Sequence, residues 1–140
     1  MYIKYWILSY TWGIIMNIFG LIGAVIMKAQ GKKASFEYGR FIYRTGKNWG
    51  AISLGNYIFM SEDSSENTRN HEIGHTIQNI IYGPAFLFVI GIWSFLRASY
   101  RTIVVKLKIK TYADLPPYDS IWFEGDATKR GTNYVKKVSE

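Results

Sequence analysis

The chain holds two histidines, four residues apart with a glutamate between them, in His71-Glu72-Ile73-Gly74-His75. On a helix of 3.6 residues per turn such positions lie one above the other, so both imidazoles reach one Zn²⁺ at about 2.0–2.1 Å. Glu72 falls a quarter-turn round, placed to meet water rather than metal. Zinc acidifies such a water and polarises a carbonyl, and the carboxylate takes the proton as the water attacks: the chemistry of peptide-bond hydrolysis. Two histidines at random would stand four apart in roughly 1–2% of arrangements, and a Glu in the right slot cuts that below about 0.1%. A pair of histidines that binds nothing is the competing reading.

A zinc site of this kind needs a third protein ligand and an open position. With no third His and no Cys, that ligand must be a carboxylate. Glu37, Glu62, Asp63, Glu66, Asp114, Asp119, Glu124, Asp126 and Glu140 are the candidates. Glu62, Asp63 and Glu66 sit too close to the start of the same helix to fold back easily. Glu124 lies on a separate, later helix, which would make a His₂Glu site delivered by two helices.

His71-Glu72-x-x-His75 followed by Glu124-Gly125-Asp126-Ala127-Thr128 resembles the gluzincin pattern, H-E-x-x-H and then E-x-x-A-D. It is most similar to the membrane-associated prenyl-protease and heat-shock membrane-protease group. More narrowly, Gly55-Asn56-Tyr57-Ile58-Phe59, His71–Gln78, Gly83-Pro84 and Glu124–Gly131 look like a set of small, uncharacterised bacterial membrane proteins. The resemblance implies a zinc metallopeptidase with Glu72 as general base and Glu124 as third ligand. It also implies an Asp orienting a ligand histidine, where this chain has Thr128. The Thr128 hydroxyl, Asp126 or a water would substitute, or the site is impaired; such partners carry about 10–100-fold in affinity or activity. In gluzincins a strand edge beside the site binds substrate, which draws attention to Gly55, Asn56 and Tyr57. An ordinary hairpin covering the helix is the alternative. Tyr57, Tyr82, Tyr118 and Tyr134 are all conceivable donors to the transition state.

The elements that must position these groups read as follows. Asp63 with Glu66 suits a capping box opening a helix that runs to about Tyr82, where Gly83-Pro84 breaks it. Ile73, Ile77 and Ile80 fall opposite the histidines, toward a core, and Gly74 beside them permits close approach by another element. Phe36–Arg44 and Ala51–Met60 read as two antiparallel strands, with Gly55-Asn56 a bulge or turn. Val105–Lys110 alternates like a further strand, and a last helix opens near Asp119 or Ser120.

Tyr5–Met27 carries no charge and is long enough to span a bilayer, with Tyr2, Tyr5, Trp6, Tyr10 and Trp12 crowding its start. Gly13, Asn17, Gly20 and Ala24 share one face of it, suited to helix–helix self-association through Gly13, Gly20 and Ala24. Lys4 precedes the run, whereas Lys28, Lys32, Lys33, Arg40, Arg44 and Lys47 follow it. The positive-inside rule then places the bulk of the chain in the cytoplasm. Residues 84–98 form a second apolar stretch, short for a span, so one pass is expected and a second is left open.

At 140 residues and 16.2 kDa there is room for one modest domain. With 49% hydrophobic and 19% charged residues the chain is not disordered, and without Cys it has no disulfide, zinc ribbon or thiol chemistry. A net charge of +7 suits either nucleic acid or anionic lipid. Its clustering after the apolar run favours lipid, so no nucleic acid is expected.

The expectation is therefore an α+β chain: an anchor in 1–30 with the span at 5–27, and a minimal zincin-like domain in 31–140 with a small antiparallel sheet. It would bind Zn²⁺ and membrane lipid and hydrolyse a peptide or protein. The alternatives are a non-catalytic metal-binding membrane protein, and a small membrane interaction protein without metal.

Overall fold

The computed structural model describes residues 3–140; Tyr2, of the N-terminal aromatic cluster, lies outside the described residues. The apolar run expected as one straight span is instead two helices, α1 (Ile3–Thr11) and α2 (Ile14–Ala29), meeting at 94°. Asn17 explains the corner. Its side-chain amide donates to the Ser9 carbonyl (2.7 Å), the Ser9 hydroxyl (2.8 Å) and the Gly13 carbonyl (3.2 Å). Backbone groups released at the bend are thereby satisfied in a segment with few polar side chains.

The small-residue face of α2, read from the sequence as a surface for a second helix, is used inside the chain. A Cβ on Gly20 would overlap the Leu54 carbonyl and the Tyr57 ring, and one on Gly23 the Phe59 ring. Asn17 also accepts from the Asn56 backbone N–H at 2.8 Å.

The sheet has four strands, β1 (Ala34–Glu37), β2 (Arg40–Arg44), β3 (Ala51–Leu54) and β4 (Tyr57–Met60), in the order β1-β2-β4-β3. It corrects the expected antiparallel hairpin. Each expected strand is itself a hairpin, broken at Tyr38-Gly39 and at Gly55-Asn56, and the two hairpins join in parallel through β2 and β4. Tyr38 and Gly39 both adopt positive φ (51° and 81°), as a tight two-residue turn demands. An aromatic residue there hides the turn from a reading based on composition.

Ile42, Ile58 and Met60 of the sheet bury Ile73 of α3 (Glu66–Tyr82). That helix is capped two residues later than expected: Ser65 accepts from the Thr68 N–H at 3.2 Å. The Asp63 carboxylate instead takes the Asn48 N–H at 3.0 Å.

After Gly83-Pro84 a wide π-type turn over Leu87–Gly91 runs straight into α4 (Ile92–Lys106). Together they make 20 residues, long and apolar enough to cross a membrane. This corrects the short apolar segment expected at 84–98 and the strand expected at Val105–Lys110. Arg97 and Arg101 interrupt the apolar run in the sequence, but they turn aside to the carbonyls of Pro116, Pro117 and Tyr118. The alternating lysines continue the helix and then a turn, with Lys108 at φ 57°.

The last helix, α5 (Trp122–Ser139), begins slightly later than expected, after a single tight turn at Tyr118–Ser120. It crosses α3 with backbone against backbone. A Cβ on Gly74 would overlap the Ala127 carbonyl, and one on Gly131 the Asn70 carbonyl. Near this crossing Arg40 is fully buried between the rings of Tyr5 (3.8 Å) and Tyr134 (4.5 Å). Its Nε donates to Thr76 at 3.0 Å, and no carboxylate among the described residues pairs with it.

Candidate metal centre

The close crossing of α3 and α5 brings Glu124, in the first turn of α5, against the two histidines of α3. Glu124 Oε2 lies 3.0 Å from His71 Nε2 and 3.0 Å from His75 Nε2. Ligand atoms of all three residues fall within 4.8 Å of one another. Four of the other candidate carboxylates are engaged elsewhere: Glu37 with Arg44 and Arg69, Glu62 with Lys32, Glu66 with Arg69, Asp114 with Thr111.

The surrounding hydrogen bonds decide which ring nitrogens face inward. The Gln78 amide nitrogen donates to the Phe123 carbonyl and to Asp126 Oδ2, both at 2.8 Å, so its Oε1 must be the atom facing His75 Nδ1 at 2.8 Å. His75 Nδ1 therefore carries a proton, and Nε2 is the ligating atom. The Thr128 hydroxyl stands 2.8 Å from His71 Nδ1, which leaves Nε2 as the nitrogen of the first histidine that faces the site. His71 Nε2 is left buried with no well-aligned hydrogen-bond partner. Two imidazole lone pairs and a carboxylate oxygen converging on one point repel unless a cation lies among them. A His₂Glu donor set aimed at one centre fits a divalent metal ion.

The electrostatics agree. Burial alone would push Glu124 up, but the imidazoles of His71 and His75, each 3.0 Å away, outweigh it and hold the carboxyl well below its usual range. Burial pulls His75 down, and the Glu124 hydrogen bond with the charges of Glu72 and Glu124 outweighs that, raising the imidazole. The metal-free site thus favours a proton where a metal would sit, and metal uptake displaces it. The other Glu124 oxygen accepts from Ser94 of α4 at 2.6 Å.

Glu72 and His75 line a cleft of about 770 Å³, with Tyr118 and β3 along its walls. Tyr118 packs edge-on to His71, centroids 5.7 Å apart, and burial with the nearby Glu124 charge raises its phenol above the usual value. Of the four tyrosines considered, Tyr118 is the one on the cleft.

Two sequence assignments shift. Asp126 does not touch a histidine but reaches His75 through Gln78, with Arg130 behind it at 2.7 Å. Gly55, Asn56 and Tyr57 do not form a free edge. Gly55-Asn56 is a turn, Asn56 is buried against Ser9 and Asn17, and Tyr57 opens β4, which is paired on both sides. The edge strand beside the cleft is β3, because β4 takes the interior place in the sheet. Gln78 and Ser94 went unassigned in the sequence, and Tyr118 was one of four tyrosines among which the sequence did not choose. Only Gln78 left a signal there, three residues beyond His75 on the same helix.

Compared with family profiles, curated proteins and solved structures, the chain matches none.

Proposed function

We propose that the protein is a small membrane-associated zinc metallopeptidase of gluzincin type. The observation that carries this reading is the convergence of Glu124 Oε2 on both inward-facing Nε2 atoms, 3.0 Å from each, beside Glu72 in an open cleft. His71, His75 and Glu124 hold the ion, and two imidazoles with one carboxylate suit zinc. When bound, zinc supplies a Lewis acid that polarises a carbonyl and acidifies water.

Glu72, buried beside His75, takes the proton from water as oxygen bonds to the carbonyl carbon. It returns that proton to the amine as the C–N bond breaks. Tyr118, a protonated phenol on the cleft beside His71, donates to the developing oxyanion. Ser94, Gln78 and Thr128 hold the three ligands in orientation. The Thr128 hydroxyl supports this reading over a degenerate site, since it keeps the hydrogen bond that an Asp would make.

Metal analysis of the detergent-purified protein tests the proposal, with His71→Ala and Glu72→Gln alongside. Zinc is expected in wild type and in Glu72→Gln and absent from His71→Ala. Peptide turnover in Glu72→Gln is expected to fall by about 10²–10⁴-fold, because the amide removes the base and leaves the ligands. Loss of zinc in Glu72→Gln would refute its role as base, and turnover unaffected by that change would refute the mechanism.

A further inference from the structure

The cleft is large for so small a protein, and its lining has a chemistry of its own. Its walls come from α2, α4 and β3, with Met16, Phe19, Ile52, Leu87, Ile92 and Phe95 among the apolar side chains. In a chain of net charge +7, none of the lining residues is Lys, Arg or Asp. Glu72, His75 and Tyr118 are the titratable groups there, and the proposed reaction uses all three. Away from Glu72 the walls carry no charge, so a charged side chain laid along them would lose water and gain no counter-charge.

Main-chain geometry says what kind of molecule fits. Leu54 and Tyr57 flank a two-residue turn and pair by hydrogen bonds, and Gly50 accepts from Ser61 at 2.8 Å. Pairing alternates along an antiparallel ladder, so Ala51 and Ser53 turn their N–H and C=O groups away from β4, toward the open side. Both residues line the cleft. A lipid tail has no use for such donors and acceptors; an extended peptide does. The rim shows where that peptide comes from. Phe19, Ile92 and Phe95 line the cleft yet are 47%, 40% and 62% exposed, so its apolar wall continues onto the apolar outer faces of α2 and α4.

We infer that the cleft binds an extended, uncharged apolar peptide segment, of the kind a membrane-inserted chain presents, and discriminates against charged segments. Cleavage of that segment rests on the peptidase reading; its binding does not.

The test uses full-length Glu72→Gln protein in nanodiscs and two nine-residue peptides, each with a central photoreactive benzoylphenylalanine. One is built of Ala, Leu and Phe, the other of Ser, Lys and Glu. Crosslinks mapped by mass spectrometry are expected at Ile52–Leu54 and Ile92–Phe95, at least about tenfold more from the apolar peptide, the worth of burying one large apolar side chain. In a further variant carrying Ile92→Lys and Phe95→Lys, apolar crosslinking should fall about tenfold and a Ser/Glu peptide should gain, a reversal that misfolding does not produce. Equal labelling by both peptides, apolar crosslinks confined to the outer face at Trp93 and Tyr100, or stronger labelling of the cleft by a photoreactive phospholipid would each overturn the inference. Wild-type protein with zinc separates the two claims. Apolar crosslinking without cleavage would refute hydrolysis and uphold the cleft assignment. Cleavage of the charged peptide as fast as the apolar one would overturn the cleft assignment and leave the peptidase standing.

Discussion

Each metal-site side chain has a partner that fixes it, and the partners differ in strength. Thr128 offers His71 a neutral hydroxyl, whereas Gln78 offers His75 an amide backed by Asp126 and Arg130. Thr128→Ala should weaken zinc binding by about 10–100-fold in a chelator-competition titration while leaving the metal-free fold intact. Asp126 makes a pH prediction. Burial alone would raise its carboxyl, but the Arg130 ion pair and the Gln78 hydrogen bond outweigh that and place it below the usual value. A carboxyl depressed in the folded state stabilises fully above its unfolded value, about pH 4, and loses that contribution as the pH falls through the lower folded one. Melts of metal-free wild type and Asp126→Asn should therefore differ at pH 6, and the gap should shrink as the pH falls below about 4. At this scale His71, Glu72, His75 and Glu124 were legible because helical spacing encodes the first three and a second motif the fourth. Ser94 was not, and Tyr118 could not be singled out from four tyrosines, because nothing in the local sequence says that α4 and the 116–120 turn fold back over the site.

Among the elements, the α3–α5 crossing matters most, since it delivers Glu124 to the histidines. Gly131→Ala would force a methyl into the Asn70 carbonyl and part the helices. The expected loss is about 1–3 kcal/mol of stability, with weaker zinc binding as Glu124 recedes. Gly91→Ala is the control: its Cβ would meet only ordinary contacts at 3.6–3.7 Å, so the melting temperature should hold or rise slightly. The helix α3 was readable from its isoleucine stripe and from Gly83-Pro84. The bend between α1 and α2 was not, because Asn17 acts across it on the backbone of an earlier turn. The helix α4 was cut short in the sequence reading because arginines bound to carbonyls look the same there as arginines in water.

For the whole molecule, apolar side chains crowd the outside of α2 and α4, among them Ile22, Val25, Trp93 and Ile103. Lysines follow both helices, at Lys28, Lys32 and Lys33 and again at Lys106, Lys108 and Lys110. The basic flanks predict that the bulk of the chain faces the cytoplasm. Because the chain has no cysteine, single thiols introduced at Lys47 and Ser139 report topology without background. Both should be shielded from a membrane-impermeant maleimide in intact cells and labelled after lysis; thiols on opposite sides would contradict a site built from α3 and α5. The Arg40 sandwich carries a consequence for how the molecule comes apart. Tyr5 comes from the first helix, Tyr134 from the last, and Thr76 from the helix between. A guanidinium cannot shed its charge, so severing the N-terminal thirty or so residues would strip one aromatic face from a buried cation. The leader-like first helix is therefore no detachable tether: a truncated chain would start from a wounded core, and the two termini should unfold as one cooperative unit.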